Sequence, residues 1–326
     1  MGKQANQTKT RPLAARWLHE IPLTLLIIVL AVVLLVAIGY GATRRNIGNP
    51  PKPQSPATST STPTVVFNQQ LINQQSAPEL AKLRAAIASI EAKYGLLLGL
   101  SISMLAPPLQ ATQHDWHGGA LYGGEALDTI ALPMSLALVN EAKRPPNLDY
   151  LLAKALSQDS AAGIQAIWAY LGDPDQAAAK TNAAFVQYGD LSTKLYVNSD
   201  ESVDYGRTNW RLDQQIKMVS ALGCGFRQNY RVIEKLKDGY EEQPNQLWGF
   251  QLLPMSYIAS ASGYDHSGQA LVRQLGITRL ADGTQVAIAA AASTSEHDPA
   301  IAKEALTDLA WQLRDNAQGI KPPACK

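Results

Sequence analysis

Residues 21–43 form the stretch that most restricts how this chain can be arranged. The segment reads IPLTLLIIVLAVVLLVAIGYGAT and contains no charged residue. At 1.5 Å per residue, about 20 helical residues cross a hydrocarbon core of roughly 30 Å. A cleaved signal peptide is the alternative, but the apolar region of a signal peptide is normally only about 7 to 15 residues long. We therefore predict an uncleaved signal anchor that spans the plasma membrane once.

The sequences on either side of this span predict its orientation. Basic residues are slightly more numerous before the span than after it, which places residues 1–20 in the cytoplasm by the positive-inside rule. Residues 44–75 begin with a region rich in Pro, Ser and Thr, a composition typical of an extended, solvated stalk. Residues 76–326 would then form an extracytoplasmic domain at the end of this stalk.

Composition limits what the exported domain can do. The net charge is only +1, and no cluster of Lys and Arg is evident, so the counterion release that drives nucleic-acid binding is not available. The chain has two cysteines, Cys224 and Cys325. An even pair in an exported domain can form a disulfide, and two unrelated thiols are the alternative.

The order of apolar patterns predicts an α+β domain. Residues 76–127 contain a capped amphipathic helix followed by strand-like segments, and residues 128–244 are mostly helical in their periodicity. Residues 245–326 contain short apolar runs, a turn at 281–284 and a final helix capped by Asp298. This order indicates one antiparallel sheet flanked by helices, built from the first and last segments, with the helical lobe inserted between them.

Three local stretches carry a resemblance to a known family. The stretch ALDTIALPMSLAL (126–138) is similar to a helix that opens with S-x-x-K, and LSQDSAAGIQAIWAYLG (156–172) resembles an S-D-N segment with its following helix. The stretch that begins at Glu242, EQPNQLWGFQLLPMSYIASASGYDHSGQALVRQLGIT, resembles the approach to a late K-T-G or K-S-G strand. In this order and spacing the chain resembles the serine β-lactamase and penicillin-binding-protein family over about residues 77–320. The resemblance implies the fold of that family.

The same resemblance implies that the motif positions have lost their reactive groups. Asp128 stands at the serine position of S-x-x-K, Ala131 stands at its lysine position, and Ala259 stands at the lysine position of the late strand, where Ser260 and Ala261 follow. The S-D-N positions are occupied by Gln158, Asp159 and Ser160, and an alternative register reads Ser157-x-Asp159.

These replacements matter because a serine hydroxyl is a weak nucleophile until a neighbouring base removes its proton. Asp128 has no hydroxyl, Ala131 has no base, and a carboxylate at a helix N-terminus is held ionised by backbone N–H groups. It would also repel the carboxylate of a penicillin. We therefore expect a catalytically inactive domain that uses no cofactor and binds a cell-wall peptide, a glycan or an envelope protein. The candidate cleft residues are Asp128, Asp159, Ser160 and Ser260.

Other functions remain open at this point. An active serine hydrolase with displaced groups is one, since Lys154 lies one turn before Ser157 and would serve as its base if both side chains pointed inward. A purely structural spacer is another. His114 and His117 in HDWH would bind a metal only if both side chains converged, and on a strand they would face opposite sides, so we expect no metal site.

Overall fold

The computed structural model describes residues 78–108, 115–156, 160–197, 204–225, 227, 229–242, 246–296, 298–317 and 325. The predicted cytoplasmic segment, membrane span and stalk lie outside the described residues. Within the ranges just given, no helix is both long enough and apolar enough to cross a membrane.

The elements follow the predicted order, with strands near both ends and helices between them. The strands are β1 Leu97–Met104, β2 Trp116–Gly119, β3 Tyr257–Tyr264, β4 Ala270–Arg279 and β5 Gln285–Thr294. The α-helices are α1 Pro78–Tyr94, α2 Ala131–Val139, α3 Leu148–Leu156, α4 Ala161–Leu171, α5 Pro174–Gln187, α6 Leu212–Cys224, α7 Tyr230–Glu242 and α8 Pro299–Asn316. Three short 3₁₀ turns complete the description: Leu127–Ile130, Tyr205–Arg207 and Gly249–Leu252.

All five strands form one antiparallel sheet in the order β2-β1-β5-β4-β3. The turn predicted at 281–284 is confirmed: it joins β4 to β5, and the Leu280 amide donates to the Thr284 carbonyl oxygen at 2.9 Å. Gly283 has a φ of 87°, a backbone conformation that glycine adopts without the clash of a Cβ atom. In the strand order given above, β3 lies at one edge of the described sheet.

The sheet is covered on both faces, which explains the nearly continuous apolar run of its central strand β5. Successive strand side chains point to opposite faces. Ile288 and Ala290 pack with α1 and α8, whereas Ala287 and Ala289 pack with the helical lobe. The predicted architecture, an antiparallel sheet flanked by helices, is confirmed.

The final helix and the disulfide were also predicted correctly. The Asp298 side chain accepts a hydrogen bond from the Ala300 amide at 2.8 Å, as expected of a cap at the start of α8. Cys224, the last residue of α6, is bonded to Cys325, and their Cα atoms are 5.3 Å apart. The cross-link therefore ties the C-terminus to the end of α6.

Candidate functional site

The chain segment that leads to Asp128 is held by backbone hydrogen bonds to a second segment. Residues 121–126 run antiparallel to the residues just before α6. The Trp210 amide donates to the Gly124 carbonyl oxygen, and the Ala126 amide donates to the Thr208 carbonyl oxygen, each at 2.8 Å. This pairing fixes the position at which the turn carrying Asp128 begins.

Arg273 on β4 joins this segment to the sheet. Its guanidinium donates to the carbonyl oxygens of Gly124, Glu125 and Trp210, each at 2.6 Å. The residue is fully buried, and burial lowers the pKa of its guanidinium to about 9 because a charge is poorly solvated there. The buried Arg273 guanidinium therefore connects this segment to β4 through hydrogen bonds to backbone carbonyl oxygens.

Asp128 lies in the 3₁₀ turn just before α2, and its carboxylate contacts Ser160. Leu127 has a φ of 48°, which is rare for a branched residue and marks a tightly constrained turn. The Ser160 hydroxyl, at the residue before α4, donates to Asp128 Oδ2 at 2.6 Å. Packing of the helical lobe therefore brings together two residues that lie 32 positions apart in the sequence.

A cleft of about 410 Å³ lies beside Asp128. Its wall combines the turn before α2, the 3₁₀ turn at 205–207 and the end of β3 with the turn that follows. The lining residues are Glu125, Leu127, Asp128, Asp204, Gly206, Arg207, Ser262, Gly263, Tyr264, Asp265 and His266. Ser160 is only 2% exposed and does not line the cleft, so it supports Asp128 from behind.

The β3 residues that line the cleft come later in the strand than Ala259 and Ser260. Ala259 is buried against the helical lobe, and the Ser260 hydroxyl accepts a hydrogen bond from Gln274 Nε2 at 3.0 Å instead of facing the cleft. Ser262, Gly263 and Tyr264 line the cleft instead. Ala259 and Ser260 are therefore not part of the cleft wall. β3 contains no lysine.

Other predicted residues lie outside the cleft or outside the described residues. Ala131 is buried in α2 and has no polar group, as predicted from its type. Gln158 and Asp159 lie outside the described residues, as does Ser157. The Lys154 side chain is exposed on α3 and does not line the cleft.

Three charged or ionisable groups meet at one end of the cleft, and of these only His266 was placed near the cleft from the sequence. Glu125 pairs with His266 Nδ1 and also accepts a hydrogen bond from the His266 backbone amide at 3.2 Å. Arg207 Nε lies 3.9 Å from Glu125 Oε1, and its guanidinium stacks over the Tyr196 ring. The side chains of His266 and Arg207 therefore both lie beside the Glu125 carboxylate. In the sequence, the only indication that Glu125 would lie near the cleft was its position just before the 126–138 stretch.

Asp265, which lines the cleft, and Tyr205, in the neighbouring turn, have shifted pKa values. Burial opposes ionisation of Asp265, but hydrogen bonds from Ser267 and Gln269 outweigh it and lower the pKa of the Asp265 carboxyl. The pKa of Tyr205 is raised by burial and by the negative charges of Asp128 and Asp204. Both carboxylates therefore lie close enough to Tyr205 to act on its hydroxyl.

The HDWH stretch forms a separate polar cluster on β2. His117 Nδ1 lies 2.6 Å from the Ser101 hydroxyl, and burial lowers the pKa of His117. Burial also raises the pKa of Asp115 to about 6. His117 is therefore half-buried on β2. His114 lies outside the described residues, and the described residues contain no group of three or more His, Cys, Asp or Glu side chains that would hold a metal ion.

Comparison with known proteins shows which fold this is. No family model and no curated protein matches the sequence. Among solved structures, the TLA-3 extended-spectrum β-lactamase matches with a TM-score of 0.56 at 11% identity, covering 74% of this chain and 99% of that one. A class A β-lactamase from Bacteroides cellulosilyticus matches with a TM-score of 0.52 at 13% identity, covering 74% and 100%.

A β-lactamase from Sphaerobacter thermophilus matches with a TM-score of 0.54 at 16% identity, covering 75% of this chain and 99% of that one. The chain therefore carries a domain with a β-lactamase-like fold. At these identities the likeness shows the fold alone.

Proposed function

We propose that this protein is a membrane-anchored cell-envelope protein whose β-lactamase-like domain binds a ligand in the Asp128 cleft without hydrolysing it. The observation that carries the proposal is the Ser160–Asp128 hydrogen bond at the place where the resemblance puts the attacking serine. A carboxylate oxygen that accepts a hydroxyl hydrogen bond is a poor nucleophile. Hydrolysis would need a reactive hydroxyl that reaches the cleft and a base beside it.

Asp128 and Ser160 do not supply these two groups. The Ser160 hydroxyl faces Asp128 but is almost completely buried, so a substrate carbonyl has no path to it. Among the described residues, no lysine lines the cleft, and the basic side chains that line it are Arg207 and His266. The edge of β3 instead offers backbone N–H and C=O groups beside the cleft, which suits an extended peptide. We favour a cell-wall peptide as ligand, with a glycan or an envelope protein as the other candidates.

One observation favours an active hydrolase as the second candidate. The Glu125 carboxylate contacts Nδ1 of His266, so it does not engage Nε2, the other nitrogen of the ring. Ser262 lines the same cleft. A carboxylate that orients a histidine toward a serine is the arrangement that activates a serine nucleophile. In this second candidate, Ser262 would attack an ester or amide and His266 would take its proton.

Covalent labelling distinguishes the two candidates. We expect a fluorescent penicillin and a fluorophosphonate to leave the full-length protein unlabelled, because Ser262, the serine among the described lining residues, has no base within hydrogen-bond distance. Wild type, Ser262→Ala and His266→Gln variants should be treated in parallel, and a known serine hydrolase should serve as the positive control. Labelling of the wild type that disappears in both variants would establish the hydrolase and end our proposal.

The membrane anchor is a separate part of the proposal, supported by the uncharged stretch 21–43 and the stalk composition of 44–75. We expect protease added to intact cells to release the C-terminal domain, because it would lie on the outer side of the membrane. A C-terminal domain that resists protease in intact cells but is cleaved after lysis would contradict this topology.

A further inference from the structure

A second cavity, of about 470 Å³, is lined by residues different from those of the Asp128 cleft. Its wall combines the ends of α2, α5 and α6 with the start of α7. The volume falls within the range of about 300–1,000 Å³ that is typical of small-molecule sites. Among the described lining residues the charged side chains are Arg144 and Arg231, and none is acidic. A cavity whose described walls carry only positive charge attracts an anion.

Arg144 lies in the loop after α2, which is held in place on both sides of this residue. The Tyr170 hydroxyl donates to the Lys143 carbonyl oxygen at 3.3 Å, and Pro145 is buried. The Arg144 side chain itself is exposed, and among the described residues no carboxylate lies within ion-pair distance of it. Its guanidinium is therefore available to a ligand.

Arg231 is positioned by the first turn of α7. The Val232 and Ile233 amides donate to the Asn229 carbonyl oxygen at 3.0 and 3.1 Å, which fixes the start of this helix. Arg231 Nη1 lies 3.4 Å from Asp149 Oδ1, and both side chains are more than half exposed. An ion pair between exposed side chains contributes little, and this one uses only one of the three guanidinium nitrogens. The other two nitrogens can donate to an anion.

A neutral donor lies in the same wall. Asn140 Nδ2 donates to Gln187 Oε1 at 2.9 Å, which joins the residue after α2 to the last residue of α5. This bond orients the Gln187 side-chain amide and does not use its Nε2 group, which can donate to a ligand. The wall thus offers three donor side chains. A phosphate monoester has three terminal acceptor oxygens, one for each donor, whereas a carboxylate has two.

We propose that this cavity binds a phosphate group, carried either by a small organic molecule or by a lipid headgroup, through Arg144, Arg231 and Gln187. The two guanidiniums would donate to the phosphate oxygens and supply the positive charge. The apolar side chains of Val139 and Val232 in the same wall would contact the organic part. Because this cavity shares no described lining residue with the cleft of the proposed function, the inference goes beyond that function and does not depend on it.

Calorimetric titration of the full chain in an uncharged detergent tests this inference. Glycerol 3-phosphate is the probe, and glycerol is the matched control without the phosphate. We expect glycerol 3-phosphate to bind and glycerol not to bind at millimolar concentration. An Arg144→Gln variant should bind the probe about 10-fold more weakly, because it loses a charge-assisted hydrogen bond. An Arg314→Gln variant, which changes an arginine of α8 that pairs with Asp315, should bind as the wild type does.

Phosphatidylglycerol added to the detergent micelles distinguishes the two sources of the phosphate. If a lipid headgroup is the source, this lipid should compete with glycerol 3-phosphate in the wild type and lose affinity in Arg144→Gln. If a soluble molecule is the source, the lipid should leave the titration with glycerol 3-phosphate unchanged. Either result supports the phosphate site and identifies where its ligand comes from.

Three results would overturn the inference. The first is no binding of glycerol 3-phosphate at millimolar concentration. The second is an affinity that is unchanged in both Arg144→Gln and Arg231→Gln. The third is tighter binding of succinate than of glycerol 3-phosphate, which would assign the cavity to a carboxylate. Since both arginine side chains are exposed, we expect these variants to unfold at the same urea concentration as the wild type.

Discussion

An Arg273→Ala variant is expected to lose about 3 to 5 kcal/mol of its free energy of unfolding. Arg273 makes three charge-assisted hydrogen bonds to backbone carbonyls, and hydrogen bonds to charged groups contribute about 1.5–3 kcal/mol each. Alanine also leaves a cavity in a fully buried position. The cost of burying the guanidinium charge offsets part of this loss, so the sum of the three bonds overestimates the effect.

Urea unfolding of the full chain, followed by tryptophan fluorescence, measures this change. Arg279→Ala is the matched control, because Arg279 lies at the end of the same strand and is only half-buried. The control should lose less than about 1 kcal/mol. If both variants lose the same amount, Arg273 does not anchor the cleft segment.

The same variant also has a functional consequence. Since Arg273 holds Gly124 and Glu125, which lead into the Asp128 turn, its loss should disturb the cleft before the whole domain unfolds. Arg273 is therefore a positioning residue that acts through the backbone of the cleft wall.

Loss of the disulfide is expected to have the second large effect. A Cys224→Ala/Cys325→Ala double variant removes a cross-link with a sequence separation of 101 residues. In the chain-entropy model, opening a loop of about 100 residues costs up to about 4.7 kcal/mol, because the unfolded chain regains the freedom that the bond had removed. We expect a loss of about 2 to 5 kcal/mol in chemical denaturation.

A reducing agent provides the control for this second prediction. Reduction of the wild type should lower its stability to that of the double variant, and reduction of the double variant should change nothing. Wild-type stability that is the same with and without reductant would show that the cross-link contributes little.

Strand β3 shows that hydrophobic periodicity cannot decide which residues along a strand reach the cleft. In Tyr257–Tyr264, small residues alternate, so Ala259 and Ala261 point toward the same face of the sheet. A shift of two residues keeps every side chain on its face, and the hydrophobic pattern is the same in both registers. The lining of the cleft shows which residues reach it, because Ser262 and Gly263 line it and Ala259 does not.

Ser160 shows a second kind of limit. A serine just before a helix is normally expected to cap that helix with its own hydroxyl. Ser160 occupies this position before α4, but its hydroxyl makes no cap bond and donates to Asp128 on another element. The local pattern places the residue correctly, and the neighbouring turn decides what its hydroxyl does.

The sequence by itself determined the features that depend on short spacing along the chain. These are the antiparallel sheet flanked by helices, the turn at 281–284, the Asp298 cap of the last helix and the absence of a serine at 128 and a lysine at 131. Such features follow from side-chain type and periodicity. The tertiary structure alone decided the Glu125–His266 pair, whose residues are 141 positions apart, and the buried Arg273 contacts. Their partners come from distant loops, and no spacing in the sequence encodes which of many polar residues packing will bring within hydrogen-bond distance.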